Sequence, residues 1–141
     1  MLITQLAIGS VIVLSTALFH VIALVFLAQW LRQVFGYHNG SLKPTSKVLL
    51  LGLCVTAILA IHTIEAWLWA FIYLTLGEFD SLTQALYFSS VTATTLGYGD
   101  IILSEQWQLL GVFEAMGGLI LFGASTAFML SLMRSVFDHF D

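Results

Sequence analysis

Residues 94–100 read Thr94-Thr95-Leu96-Gly97-Tyr98-Gly99-Asp100, a polar, glycine-rich run set between long apolar segments. Its surroundings decide what it can become. Of the 141 residues, 9% are charged and 60% hydrophobic, where a soluble domain carries about 25% charged residues. The chain therefore reads as an all-α integral membrane protein. Irregular backbone survives at bilayer depth only when it is buried in protein or lines a water-filled path. Gly97 and Gly99 lack a Cβ, so they can adopt positive φ and turn successive carbonyls the same way. A row of carbonyls facing one axis replaces the hydration shell of a cation. Thr95 adds a hydroxyl oxygen at the inner end of that row.

Residues 1–31 carry no Asp, Glu, Lys or Arg and exceed the roughly 20 residues that span a bilayer. No basic region precedes them as in a secretory signal, so they read as a retained helix of about Gln5 to Leu31. His20, near its middle, is either a proton-sensing group or an imidazole hydrogen-bonded between helices. Arg32, Lys43 and Lys47 share residues 32–47 with Gly36, Asn39, Gly40 and Pro44, which makes a loop by composition. Pro44 and Ser46 suit a helix start. Lys47 to Leu76 reads as a second span. His62 and Glu65 lie on one face of it. Trp67, Trp69 and Tyr73 crowd its outer end as interfacial anchors. Cys54 reads as a small buried hydrophobe.

Ser81 with Gln84 fits a capping box. The helix it opens, 81–93, is too short to span, so it enters and turns back. Its C-terminal end carries partial negative charge and favours a cation beyond it. Trp107 to about Met133 reads as a third span. Gly117 and Gly118 near its middle permit close packing or a bend. Glu65 and Glu114 fall at similar depth, where a charge costs about 2.5–3.5 kcal/mol. Both are therefore expected to face protein behind the short helix, with His62 as a partner for Glu65 and one acid neutral. His62, Glu65, Glu114, Gly117 and Gly118 are the candidate gating residues.

In this order the motif Thr-Thr-Leu-Gly-Tyr-Gly-Asp, preceded by Ala85-Leu-Tyr-Phe-Ser-Ser-Val-Thr-Ala93 and followed by a membrane-length helix, resembles the pore domain of potassium channels. The resemblance covers roughly the last half of the chain. It implies residues 47–141 as a pore domain, with an outer helix 47–76, a pore helix 81–93, a selectivity filter 94–100 and an inner helix 107–134. Residues 1–46 add an N-terminal transmembrane helix and a cytoplasmic loop that the minimal family plan lacks. That extra helix is expected to pack outside the second. By resemblance, K⁺ would be held by Thr95, Leu96, Gly97 and Tyr98, with Gly99 completing the filter, and four copies of the chain would surround one axis.

Thr94, Asp100, Tyr87, Phe88 and Val91 would support the filter. This support departs from the family pattern. Many members carry Trp at positions 87 and 88; here Tyr87 keeps a hydroxyl for Asp100, whereas Phe88 cannot donate to Tyr98. Some bacterial members have Glu where this chain has Val91. The family's frequent hinge glycine falls one position later, at Leu119.

The function read from this is passive conduction of K⁺ by a homotetramer in the plasma membrane, with no cofactor beyond filter-bound K⁺. The alternatives are a nonselective monovalent cation channel or a nonconducting interaction protein that keeps the pore fold. No catalytic constellation suggests an enzyme. Four Lys and Arg residues do not support nucleic-acid binding. A voltage sensor would need an Arg-rich helix.

Arg32, Lys43, Lys47 and Arg134 fall on one side if the second span runs outward and the third returns. The positive-inside rule makes that side cytoplasmic. Glu78, Asp80, Asp100 and Glu105 are then outside, as is the N-terminus, and Asp141 is inside. In a Cys54→Ala background, Gly40→Cys is expected to react with an impermeant maleimide from the cytoplasmic face only. Labelling from the outside alone would reverse the topology.

Overall fold

The computed structural model describes residues 2–36 and 42–137. Asn39, Gly40 and Asp141, assigned above to a loop and to the cytoplasmic C-terminus, lie outside the described residues. Among the described residues there are four helices and no strand: α1 (Leu2–Phe35), α2 (Pro44–Thr75), α3 (Leu82–Ala93) and α4 (Gln108–Phe137). Helices α1, α2 and α4 are each long and apolar enough to cross a membrane. The protein is therefore a multi-pass, all-α membrane protein. A 34-residue helix such as α1 is about 51 Å long, so it tilts or projects beyond a hydrocarbon core of roughly 30 Å.

Local chemistry sets the ends. Pro44 occupies the first turn of α2 behind an extended Lys43, where its missing N–H is no loss. The helix therefore begins at Pro44 rather than at residue 47. It closes on Gly77, at φ 75°. The Gly77 amide donates to Leu74 O and the Glu78 amide to Tyr73 O, both at 3.0 Å. This is the paired closure for which a glycine at positive φ is suited. Ser81 caps α3, its hydroxyl oxygen accepting from the Gln84 amide at 3.2 Å. At the other end of the bundle, Lys47 Nζ lies 4.8 Å from the Phe137 ring centre and ties α2 to α4.

Two apolar clusters fill the interior. One gathers Leu27 and Leu31 of α1, Leu50 and Cys54 of α2, and Leu132 and Val136 of α4. The other joins Trp69, Tyr73, Phe88, Leu103 and Leu110. Cys54 is fully buried, as its apolar neighbours suggest. Of the three aromatic residues expected as interfacial anchors, Trp67 is exposed, whereas Trp69 and Tyr73 are buried and serve the interior instead. Glu65, Trp69 and Tyr73 recur every fourth residue and form one inward stripe.

The first helix does not simply lie outside the second. It packs against both α2 and α4. Gly9 makes room for the Phe113 ring, which a Cβ at position 9 would strike. Gln5 Oε1 accepts from the Leu109 amide at 3.3 Å.

The short helix is placed by a glycine. A Cβ on Gly118 would run into the carbonyl oxygen of Ala93, the last residue of α3. Position 118 lies in the middle third of α4, so the C-terminal end of α3 stops at mid-height. A Cβ on Gly117 would meet Val13 at 3.5 Å, an ordinary contact. Helix α4 runs unbroken through both glycines. Gly117→Ala is accordingly expected to keep or raise thermal stability, since alanine favours a helix by about 1 kcal/mol over glycine. Gly118→Ala is expected to lower it by about 1–3 kcal/mol, because backbone must give way. Equal melting temperatures for the two purified variants would contradict this placement.

Candidate functional site

The end of α3 and the run after it form one continuous device. Thr94 caps the helix. The Thr95 amide donates to Thr92 O at 2.9 Å, and the Leu96 amide to Val91 O at 3.0 Å. This is the same closure that ends α2, but with threonine in the position glycine favours. Thr95 sits at φ 58°, Gly97 at 52° and Gly99 at 75°. Positive φ thus recurs at every second residue. The two glycines adopt it freely, whereas a β-branched residue there is strained. Such strain costs of order 1–3 kcal/mol and is held here by the helix closure. Val91 takes part through its carbonyl, which also accepts from the Gly97 amide at 3.2 Å.

The neighbours brace this run from outside. Tyr87 donates its hydroxyl to Asp100 Oδ2 at 2.8 Å. That hydrogen bond, followed by desolvation and the Asp100 charge, raises the Tyr87 pKa and keeps the phenol a donor. Phe88 points into the core, edge-on to Tyr73 with ring centres 5.2 Å apart. Glu78 accepts from the Ser104 amide at 2.7 Å and from its hydroxyl at 2.8 Å, fastening the linker after Asp100 to the end of α2. Thr94, Thr95, Leu96, Gly97, Tyr98, Gly99 and Asp100 are all exposed on the single chain.

Behind α3 lies a buried acid. Glu114 of α4 is 1% exposed. Tyr73 donates to its Oε2 at 2.6 Å, and Ser89 Oγ meets its Oε1. Ser89 also reaches Ala66 O at 2.9 Å. Ser89 has one proton for two acceptors. The set is complete when a neutral Glu114 donates to Ser89 and Ser89 donates to Ala66. Three helices are thus joined through one carboxyl group. Glu114 faces protein, as its position in an apolar span implies, but nothing in the sequence marks Tyr73 and Ser89 as its partners.

Glu65 is also buried. His62 Nδ1 lies 3.0 Å from its Oε2, the pairing expected from their spacing. His20 of α1 brings Nδ1 to 2.8 Å from Oε1. Both imidazole Nε2 atoms lie 3.1 Å from Ser125 Oγ on α4. Their separation along the chain hid His20 and Ser125 as partners.

A family model described as an ion channel matches residues 53–135. The match starts within α2, crosses α3 and the 94–100 run, and ends within α4. No curated protein and no solved structure matches the chain.

The hydrogen-bond count at Glu114 is directly testable. Glu114→Gln supplies an N–H for Ser89 and a carbonyl for Tyr73, so its melting temperature is expected to stay near the parent's. Glu114→Ala orphans a buried hydroxyl at about 1–3 kcal/mol and leaves a cavity besides. It is expected to be clearly less stable. A glutamine variant as damaged as the alanine variant would show that the acid must be ionised.

Proposed function

The chain belongs to the ion channel family, and from that premise we propose that it conducts K⁺ passively through a homotetrameric pore. The observation that carries this reading is positive φ at positions 95, 97 and 99 within Thr95-Leu96-Gly97-Tyr98-Gly99. Alternation of that kind lets neighbouring peptide groups turn their carbonyls to one side. Carbonyls of Thr95, Leu96, Gly97 and Tyr98, with the Thr95 hydroxyl, then replace water around a dehydrated ion. Successive sites let ions leave by mutual repulsion.

One chain supplies one such strand, and a closed ring is built from four under cyclic symmetry. Assembly of this kind also accounts for the exposure of Leu96 and Tyr98 on the isolated chain, 55% and 67%. The C-terminal end of α3 places partial negative charge at mid-membrane, which favours a cation over an anion. The Tyr87–Asp100 bond and the Glu78–Ser104 clamp hold the outer end of the run in place. Conduction needs no cofactor beyond the ions themselves, and no covalent step occurs. Helix α4 lines the path below the filter.

Reconstituted in liposomes, the protein is expected to pass K⁺ well ahead of Na⁺. Gly97→Ala is expected to abolish flux without preventing insertion, because its backbone sits at φ 52°, where a Cβ is strained. Equal K⁺ and Na⁺ flux in the parent would favour a nonselective pore. No flux from inserted tetramers would favour an interaction protein.

A further inference from the structure

Four polar side chains from three helices meet in the interior, in a cluster separate from that of Glu114. The Nδ1 atoms of His20 and His62 face the two oxygens of Glu65 at 2.8 and 3.0 Å, and both Nε2 atoms converge on Ser125 Oγ at 3.1 Å. We infer that His20, His62 and Glu65 form a binding site for a divalent transition metal of the Zn²⁺ class, which ties α1 to the channel helices. The inference does not rest on what the channel conducts.

Counting protons shows why the ring suits an ion. Four contacts close it. With an ionised carboxylate and two neutral imidazoles, three protons serve them: one on each ring and one on Ser125. If both ring protons sit on Nδ1, Ser125 can donate to only one Nε2 at a time. A metal on the Nδ1 side moves both ring protons to Nε2. The two lone pairs of Ser125 Oγ then accept both. A ligating histidine donates its second ring N–H to a fixed acceptor, which sets its tautomer and orientation. Ser125 is that acceptor for both rings at once.

The donor set and spacing agree with this. The ligand atoms of His20, His62 and Glu65 lie within 4.8 Å of one another. An ion bonded at about 2.0–2.2 Å to nitrogen and oxygen fits among them, once the two Nδ1–carboxylate contacts lengthen by a few tenths of an ångström. Two imidazoles and one carboxylate suit Zn²⁺ and its first-row neighbours, whereas Mg²⁺ and Ca²⁺ require more oxygen ligands.

The rings are held in place. His20 is fully buried, and His62 stacks on Phe122 with ring centres 4.2 Å apart. His62 and Glu65 also line a cavity of about 340 Å³ between α2, α3 and α4, which Glu114 shares. That cavity has room for water. It offers the ion a route inward and a fourth ligand position. The carboxylate offsets one of the ion's two charges.

The test uses the full chain in detergent, without a histidine tag. Of its four histidines, His38 and His139 are replaced by Gln so that their imidazoles do not compete. The protein is titrated separately with Zn²⁺ and Co²⁺. One ion per chain is expected after desalting, with Co²⁺ absorption bands typical of four or five ligands. His20→Gln and His62→Gln are each expected to abolish both signals, and Ser125→Ala to weaken affinity by about 10–100-fold. Circular dichroism and gel filtration check folding. If a histidine variant does not fold, Glu65→Gln takes its place with the same loss expected. Binding that survives these substitutions would put the ion elsewhere and overturn the site. So would a parent protein that takes up no metal while its imidazole resonances titrate with pH, which would assign the ring to protons.

Discussion

Polar backbone at bilayer depth has no water to turn to, and the architecture answers to that constraint. The run from Thr94 to Asp100 cannot stand in lipid. It is brought to mid-height by a short helix whose last carbonyl, that of Ala93, presses on Gly118. The missing side chain at Gly118 therefore decides how deep α3 reaches, and with it where the 94–100 run begins. Closure of α3 then uses the amides of Thr95, Leu96 and Gly97. The helix end and the first residues of the run share the same hydrogen bonds, so one cannot move without the other.

The same constraint governs the acids. An isolated charge inside a bilayer is costly, yet α2 and α4, both long and apolar enough to cross one, each carry a buried glutamate. Each is enclosed by polar partners: Glu65 by His20 of α1 and His62 of its own helix, Glu114 by side chains of two other helices. Glu114 gathers Tyr73 and Ser89, and through Ser89 the Ala66 carbonyl. The C-terminal part of α2, the middle of α3 and the N-terminal part of α4 are held by this one group. The aromatic contacts of Phe88 with Tyr73 and Phe79 close the space beside it. Polar and apolar packing thus converge on the back of α3, leaving its other side to face the 94–100 run.

Glu65 does for α1 what Glu114 does for α3. Helix α1 lies outside the residues matched by the family model, yet it is tied to the matched helices. His20 reaches Glu65 and Ser125, and Gly9 admits Phe113. Each buried polar side-chain atom among the described residues has a hydrogen-bond partner, as a water-poor interior requires. The extra helix is therefore an integral layer rather than a loose addition.

The sequence by itself determined the features that depend on local chemistry. Apolar length set the three spans, Ser81 set the start of α3, and the absent Cβ of Gly97 and Gly99 allowed their positive φ. The pairing of Tyr87 with Asp100 and of His62 with Glu65 was legible too, from the first pair's resemblance to a known brace and the second's helical spacing. Only the tertiary structure decided the rest. Glu114 lies 41 residues from Tyr73 and 25 from Ser89, and His20 lies 45 from Glu65. At such separations a buried polar group has many partners of suitable chemistry, and helix packing selects among them. Gly117 and Gly118 are adjacent and equivalent in sequence, yet only Gly118 meets a backbone carbonyl, because successive residues on a helix point about 100° apart. Thr95 likewise adopts positive φ against its own preference, because the hydrogen bonds that close α3 hold it there.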